Sequence, residues 1–295
     1  MDALKDSARA LGVELDDAQV RAFRVYADEL LAWNAKLNLT AITDRAEIDR
    51  KHFLDSLSAL PLIRSLVQPA HVPAETPAAS PFPVLPPGLR VLDVGAGAGF
   101  PAIPLKLAWP DWPDAPRGLH RRAGDVRPPA GWHVTLLEAT RKKCDFLEHL
   151  LIVLALRDTR VVWARAETAG RTPQVSGTAV PTTGSREPAG RTPTEREQYD
   201  LVLARAVAEL NVLAEYMLPF ARVGGHCIAW KGEAEEEVRA AERAIEKLGG
   251  RLSAVHALRV PGIEAQRNLV VIEKVAHTPE AYPRREGVPS KRPLR

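Results

Sequence analysis

The sequence predicts an α/β fold with a mostly parallel sheet covered by helices on both faces. Three observations predict it. From Leu89 onward, short apolar runs alternate with segments of helical period. The first such run ends in a glycine-rich loop, "DVGAGAGF". The last two runs have only a short connection between them, which suits an antiparallel pair closing the sheet.

An N-terminal helical region, residues 1–67, precedes the sheet. In its first helix Val20, Phe23, Ala27 and Leu30 fall at helical spacing, Tyr26, Trp33 and Leu37 widen the stripe, and Asp16 is the expected N-cap. A second helix is expected over Glu47–Arg64, with Ile48, Phe53, Leu57 and Leu60 on one face and Pro61 near its last turn. Residues 68–88 are Pro/Ala-rich and read as a linker.

The main domain then spans 89–275. Leu89–Val94 reads as a strand and Gly99–Ala108 as a helix, with Pro101 and Pro104 in its first turn, where backbone N–H groups are unpaired anyway. A loop, 109–131, leads to a strand at Trp132–Leu137, a helix at Arg141–Leu156 and a strand at Thr159–Trp163. Residues 168–197 repeat "AGRTP" and read as a low-complexity insertion, expected to be disordered and without a role in chemistry. Strands follow at Tyr199–Ala204 and His226–Trp230, helices at Leu210–Phe220 and Glu233–Leu248, and the closing strands at Arg251–Ala257 and Asn268–Lys274. The tail, 276–295, ends in "YPRREGVPSKRPLR", with five basic residues and one acid. It reads either as a nucleic-acid arm or as a solvated terminus.

The chain of 295 residues is 45% apolar, enough for a full core, and no apolar run approaches bilayer length. Its first residues are charged and lack a signal core, so a cytoplasmic location is expected. Nothing in the sequence demands a dimer, and a monomer is expected. The net charge of +3 alone selects no partner. Cys144 and Cys227 have no metal-ligand spacing, and no metal site is expected.

Ligands of such sheets bind beyond the carboxyl ends of the strands, where strand order reverses. Asp93, Glu138, Glu167 and Arg205 all fall at or just after strand ends. Gly95, Gly97 and Gly99 allow a tight turn and close approach of a ligand, or equally close packing of strand on helix. The dinucleotide fingerprint places two residues between its second and third glycines; "GAGAG" has one. Asp93 would repel a diphosphate and suits a cation, such as the ammonium or sulfonium of S-adenosylmethionine. Glu138 is placed to take two ribose hydroxyls, with Ala139 and Thr140 bordering the adenosine; it also suits the start of a helix. In "WARAE", the backbone and Glu167 are placed to read an adenine edge, though Glu167 alone reads as well as a surface acid. Arg205 follows an apolar strand and is expected at depth, beside the donor carboxylate or the acceptor.

The stretches "NAKLNLTAI", "KHFLDSL", "LDVGAGAGFPAIPL", "LLEATRKKCDFL", "LARAVAEL", "GGHCIAWKG" and "YPRREGVPSKRPL" resemble the bacterial small-subunit rRNA guanine-N7 methyltransferases, also called the glucose-inhibited division protein B family. The likeness covers nearly the whole chain apart from the two Pro-rich segments and the 109–131 loop. Where many members carry a larger residue or Pro between the glycines, this chain has Ala96 and Ala98. The resemblance implies a class I methyltransferase fold of Rossmann-like type with a seven-stranded, mostly parallel sheet. It implies S-adenosylmethionine as donor and N7 of one guanine in the 530 loop of 16S rRNA as acceptor, free or within the small ribosomal subunit. Carried over by motif, the donor contacts are Gly95, Phe100, Glu138, Ala139, Thr140, Ala166, Glu167 and Arg205, with Gly97 completing the loop.

Guanine N7 has an in-plane lone pair, so no catalytic acid or base is expected and alignment carries the reaction. A thiolate mechanism does not suit Cys144 in a helix or Cys227 in a strand. Methylation of an exocyclic amine usually uses an Asn/Asp-Pro-Pro-aromatic motif where this chain has "ARAV". His52, Arg141, Lys142, Lys231, Arg284 and Arg285 are candidate phosphate contacts, each equally readable as a packing or solvated residue. Two other functions stay open on sequence alone: a methyltransferase of small molecules or proteins, and a nucleotide-sensing regulator of cell division.

Overall fold

The computed structural model describes residues 3–67, 88–109, 131–171 and 195–295. Nearly all of the linker expected at 68–88 and of the loop at 109–131, and most of the insertion at 168–197, therefore lie outside the described residues.

The chain opens with α1 (Ala3–Ala10), a short helix absent from the sequence expectation, which buries Leu4 and Ala8 one turn apart. In α2 (Asp17–Leu37), Asp16 is the N-cap: its carboxylate accepts from Gln19 N at 2.7 Å, and the Gln19 side chain accepts from Asp16 N at 2.9 Å. Such a reciprocal cap is worth about 1 kcal/mol. The single helix expected over Glu47–Arg64 is instead broken. It becomes α3 (Arg45–Ile48), a π-helical segment (Asp49–Leu54), α4 (Asp55–Leu57) and α5 (Leu60–Val67). Two hydroxyls bond back to the backbone at the break: Ser56 Oγ donates to the His52 carbonyl and Ser58 Oγ to that of Asp55. Pro61 sits in the first turn of α5 rather than near a last turn, where its missing N–H costs nothing.

The sheet elements follow in the order β1 (Arg90–Val94), α6 (Ala102–Leu107), β2 (His133–Glu138), α7 (Arg141–Val153), β3 (Thr159–Trp163), α8 (Ala166–Ala169), β4 (Tyr199–Arg205), α9 (Leu210–Met217), β5 (Ala221–Lys231), α10 (Glu235–Lys247), β6 (Gly250–Leu258) and β7 (Arg267–Lys274). They form one seven-stranded sheet in the order β3-β2-β1-β4-β5-β7-β6. All neighbours are parallel except β5 with β7 and β6 with β7, which are antiparallel. Chain order reverses between β1 and β4, which makes their carboxyl ends the switch point.

Alternation along the strands divides the core. Val91, Leu136, Leu203 and Ile228 pack with the N-terminal helices, α6 and α7, so those helices share one core with that face. Leu92, Val202, Val270 and Ile272 pack with α9 and α10 on the other.

The basic tail is neither a free arm nor a frayed end. It folds back over α8 and α9 and finishes in α11 (Val288–Lys291). Arg284 binds the fully buried Glu215 carboxylate through its own N–H at 2.7 Å and through Nη2 at 2.6 Å. Gly287 N donates to Glu167 at 3.0 Å, and Tyr216 shares a hydrogen bond with Ser290 at 2.8 Å. Residues from the end of the expected insertion hold the tail's start: Arg196 donates to the carbonyls of Gly170 at 3.0 Å and Tyr282 at 2.7 Å. Glu197 accepts from Thr278 N at 2.8 Å.

Candidate active site

At the switch point the glycine loop and the end of β2 are tied together. Gly95 N and Ala96 N both donate to the Leu137 carbonyl, at 2.8 and 3.1 Å. The Glu138 carboxylate, 6% exposed, accepts from Gly97 N at 3.0 Å through one oxygen and from Thr140 N at 2.7 Å through the other. Each oxygen keeps lone-pair capacity toward the rim.

The glycines do different work. Gly97 (φ +59°) faces open space: a Cβ there meets nothing nearer than the Gly95 carbonyl oxygen at 3.8 Å. Gly99 (φ +98°) is a packing glycine, since a Cβ would lie 2.5 Å from Ile103 Cδ1 and 2.7 Å from the Tyr26 hydroxyl. Gly97→Ala is expected to lower the unfolding free energy by about 1 kcal/mol, the cost of a left-handed residue. Gly99→Ala adds an overlap and is expected to cost about 3 kcal/mol. Equal costs in urea unfolding would contradict this division.

Asp93 lies beneath the rim, fully buried. Oδ2 accepts from Ala102 N, at the start of α6, at 3.0 Å, while Oδ1 has no partner among the described residues. Burial pushes its carboxyl up to about 7, opposed by the Ala102 N–H and the Arg205 charge and reinforced by Glu138. The folded state therefore holds this proton more tightly than the unfolded chain, where the carboxyl titrates near 3.8. The stability Asp93 contributes is full below about pH 4 and is lost as pH rises through about 7. Asp93→Asn is expected to gain stability relative to the unaltered chain between pH 4 and 8 in urea titrations. A constant difference across that range would contradict the assignment.

Arg205 lies at depth, as expected, with its side chain 12% exposed. It bonds Asp55 Oδ2 at 2.8 Å, the Lys51 carbonyl at 3.2 Å and His52 Nδ1 at 3.2 Å. Arg267 takes the other Asp55 oxygen at 3.0 Å, and Trp230 Nε1 donates to the Asp55 carbonyl at 3.1 Å. One residue from the N-terminal helices thus joins three strands, β4 and β7 through its carboxylate and β5 through its backbone carbonyl. Above it runs an aromatic column: Phe100 stacks on His52 at 4.4 Å and on Tyr26 at 5.3 Å, with the Arg205 guanidinium 5.0 Å over the Phe100 ring.

His52 is corrected as a phosphate contact. Burial, with the Arg205 charge beside it, lowers its pKa to about 4, so it is neutral near pH 7. Because Arg205 donates to Nδ1, Nε2 carries the proton and donates to Thr40 Oγ1 at 2.8 Å. Lys231 bridges the Ala208 carbonyl at 2.6 Å and Glu237 at 2.5 Å. Arg284 is spent on Glu215. Glu167 is 4% exposed, and one of its oxygens accepts from Gly287 N and the Tyr216 hydroxyl of the tail interface. Arg141, Lys142 and Arg285 are exposed, as are Ala139 and Thr140 at the rim, and Ala166 is half-buried. Both thiols are buried, Cys144 pushed up to about 11 and Cys227 to about 12, so neither is a ready nucleophile.

Sequence reading missed Asp55, Tyr26 and Trp163. Trp163 is 59% exposed and its Nε1 donates to the Ala139 carbonyl at 3.1 Å. A cavity of about 580 Å³ lined by Arg90, His133, Arg160 and Tyr199 lies at the amino ends of the strands, away from this rim. No helix among the described residues is long and apolar enough to cross a membrane.

The sheet order, the bare loop at its switch point and the carboxylate closing β2 form the ligand rim of an open α/β sheet, and the matches that follow make the chain a methyltransferase. The family model for rRNA small subunit methyltransferase G matches residues 19–71, 77–115 and 128–270. The chain is 42% identical over 295 residues to ribosomal RNA small subunit methyltransferase G of Roseiflexus castenholzii, covering both chains completely. It is 40% identical over 292 residues to the protein of the same name from Chloroflexus aggregans, covering 99% of this chain and 97% of that one. With that of Symbiobacterium thermophilum it shares 41% over 297 residues, 99% and 96% of the two chains. The chain belongs to the rRNA small subunit methyltransferase G family.

Proposed function

We propose that this enzyme transfers the methyl group of S-adenosylmethionine to N7 of a guanine in the 530 loop of 16S rRNA, acting in the cytoplasm on the RNA or the small subunit. The observation that carries the reading is the Glu138 carboxylate bonded to Gly97 N at the switch point of a sheet whose relatives are small-subunit rRNA methyltransferases.

The residues present fit the donor. Glu138 has lone pairs left for ribose hydroxyls, and Ala139, Thr140 and Ala166 border the same opening. The space beside Gly97 admits a ligand where a side chain would intrude. The unpartnered Asp93 Oδ1 is a buried acceptor that a nearby cation would help to ionise. When bound, S-adenosylmethionine supplies an electrophilic methyl on a sulfonium. The guanine N7 lone pair lies in the ring plane, so the protein removes no proton from it. The chain's residues bind and orient: Glu138 fixes the loop, and the Asp55–Arg205 joint holds Phe100 against it. His52, neutral and bonded through both ring nitrogens, is not a general base.

Labelled donor offered to small ribosomal subunits, naked 16S rRNA and total protein is expected to label only RNA-containing samples. Label in protein, or in none, would contradict the reading.

A further inference from the structure

Resting on the RNA reading above, we infer that Trp163 is a stacking platform for an unpaired base of the RNA substrate, beside rather than inside the donor pocket. Trp163 ends the edge strand β3 and is the aromatic member among the large apolar side chains exposed in the described residues. Tryptophan is enriched where one side of the ring is apolar and the other meets a partner or water. Arg141 lies 5.2 Å from its ring centroid on one side, oriented by Asp145 at 2.9 Å, and more than half of the residue's surface stays in solvent. Lys142 is exposed next to it. A π-face with a cation against it is the chemistry that takes a base and its phosphate from a single strand. The indole N–H bond to the Ala139 carbonyl fixes the ring at the rim. β3 stands three strands from β4 in the sheet, about 14 Å at ordinary strand spacing, so the base held here flanks the target guanine.

The test compares Trp163→Ala, Trp163→Leu and Trp163→Phe, reading KM for naked 16S rRNA, kcat, and donor Kd by calorimetry. Ala and Leu are expected to raise KM roughly ten-fold, the effect of losing one base–aromatic stack, with donor Kd unchanged; Phe, which keeps a π-face but loses the N–H, is expected to stay near the unaltered KM. Equal KM for all three and the unaltered enzyme overturns the platform. A rise in donor Kd common to all three also overturns it, assigning Trp163 to support of Ala139. A defect seen only with intact subunits overturns it in favour of a protein contact. Absence of RNA methylation by the unaltered enzyme is distinguishable from all of these, since it overturns the RNA reading itself.

Discussion

Asp55→Ala is expected to lower the unfolding free energy by on the order of 3 kcal/mol and to abolish measurable methyl transfer. The Asp55 side chain is 7% exposed and pairs with two arginines, Arg205 at 2.8 Å and Arg267 at 3.0 Å. Removing the shared anion leaves two cations facing each other in a largely buried joint, the costly way to break such a pair. The loss reaches the rim because Arg205 lies over Phe100, and Phe100 follows the glycine loop directly. Asp55→Asn keeps one acceptor and is expected to cost less, about 1–2 kcal/mol. Denaturant unfolding and turnover on 16S rRNA read both effects; an Asp55→Ala enzyme with unaltered midpoint and rate would contradict the joint's role.

Glu138→Ala is expected to weaken donor binding about 100-fold. The carboxylate makes charge-assisted bonds to Gly97 N and Thr140 N, and on the proposed reading also to the ribose. Glu138→Gln presents an NH2 to one of those two N–H donors and is expected to lose about ten-fold. Calorimetry with S-adenosylmethionine measures both, and an unchanged Kd in Glu138→Ala would remove this residue from the donor site. The fold is expected to survive, since the β2 ladder and its apolar side chains do not depend on this carboxylate.

Much of this architecture is legible in the sequence because its signals are local. Asp16 and Gln19 are three residues apart, and their capping box depends only on that spacing. The strand–helix alternation and the short β6–β7 connection likewise set the sheet, including its antiparallel edge. The break in the helix over Glu47–Arg64 is marked in the sequence only by the five-residue step from Ile48 to Phe53, the spacing of the π-turn that spans it; Leu57 and Leu60 then resume ordinary helical spacing and hide it. The Asp55–Arg205 joint spans 150 residues and leaves no pattern in either stretch. Gly97 and Gly99 look alike in "GAGAG"; what separates them is the Ile103 side chain and the Tyr26 hydroxyl packed beside Gly99, the latter brought there by a helix far away in the chain. Glu167 is an acid after a strand end, as a ligand contact would be, and only the returning tail reveals its partner at Gly287. For the same reason Lys231 and Arg284 read as free cations until Glu237 and Glu215 stand beside them.

The central claim is that this rim methylates a guanine of the 530 loop at N7. Its most direct measurement is mass mapping of 16S rRNA after reaction with the purified enzyme and S-adenosylmethionine, with aniline-induced cleavage to identify 7-methylguanine. The account predicts one new methyl group, on a guanine of that loop, and strand cleavage there. A methyl on another base, on an exocyclic amine, or on a guanine elsewhere in the RNA would contradict it.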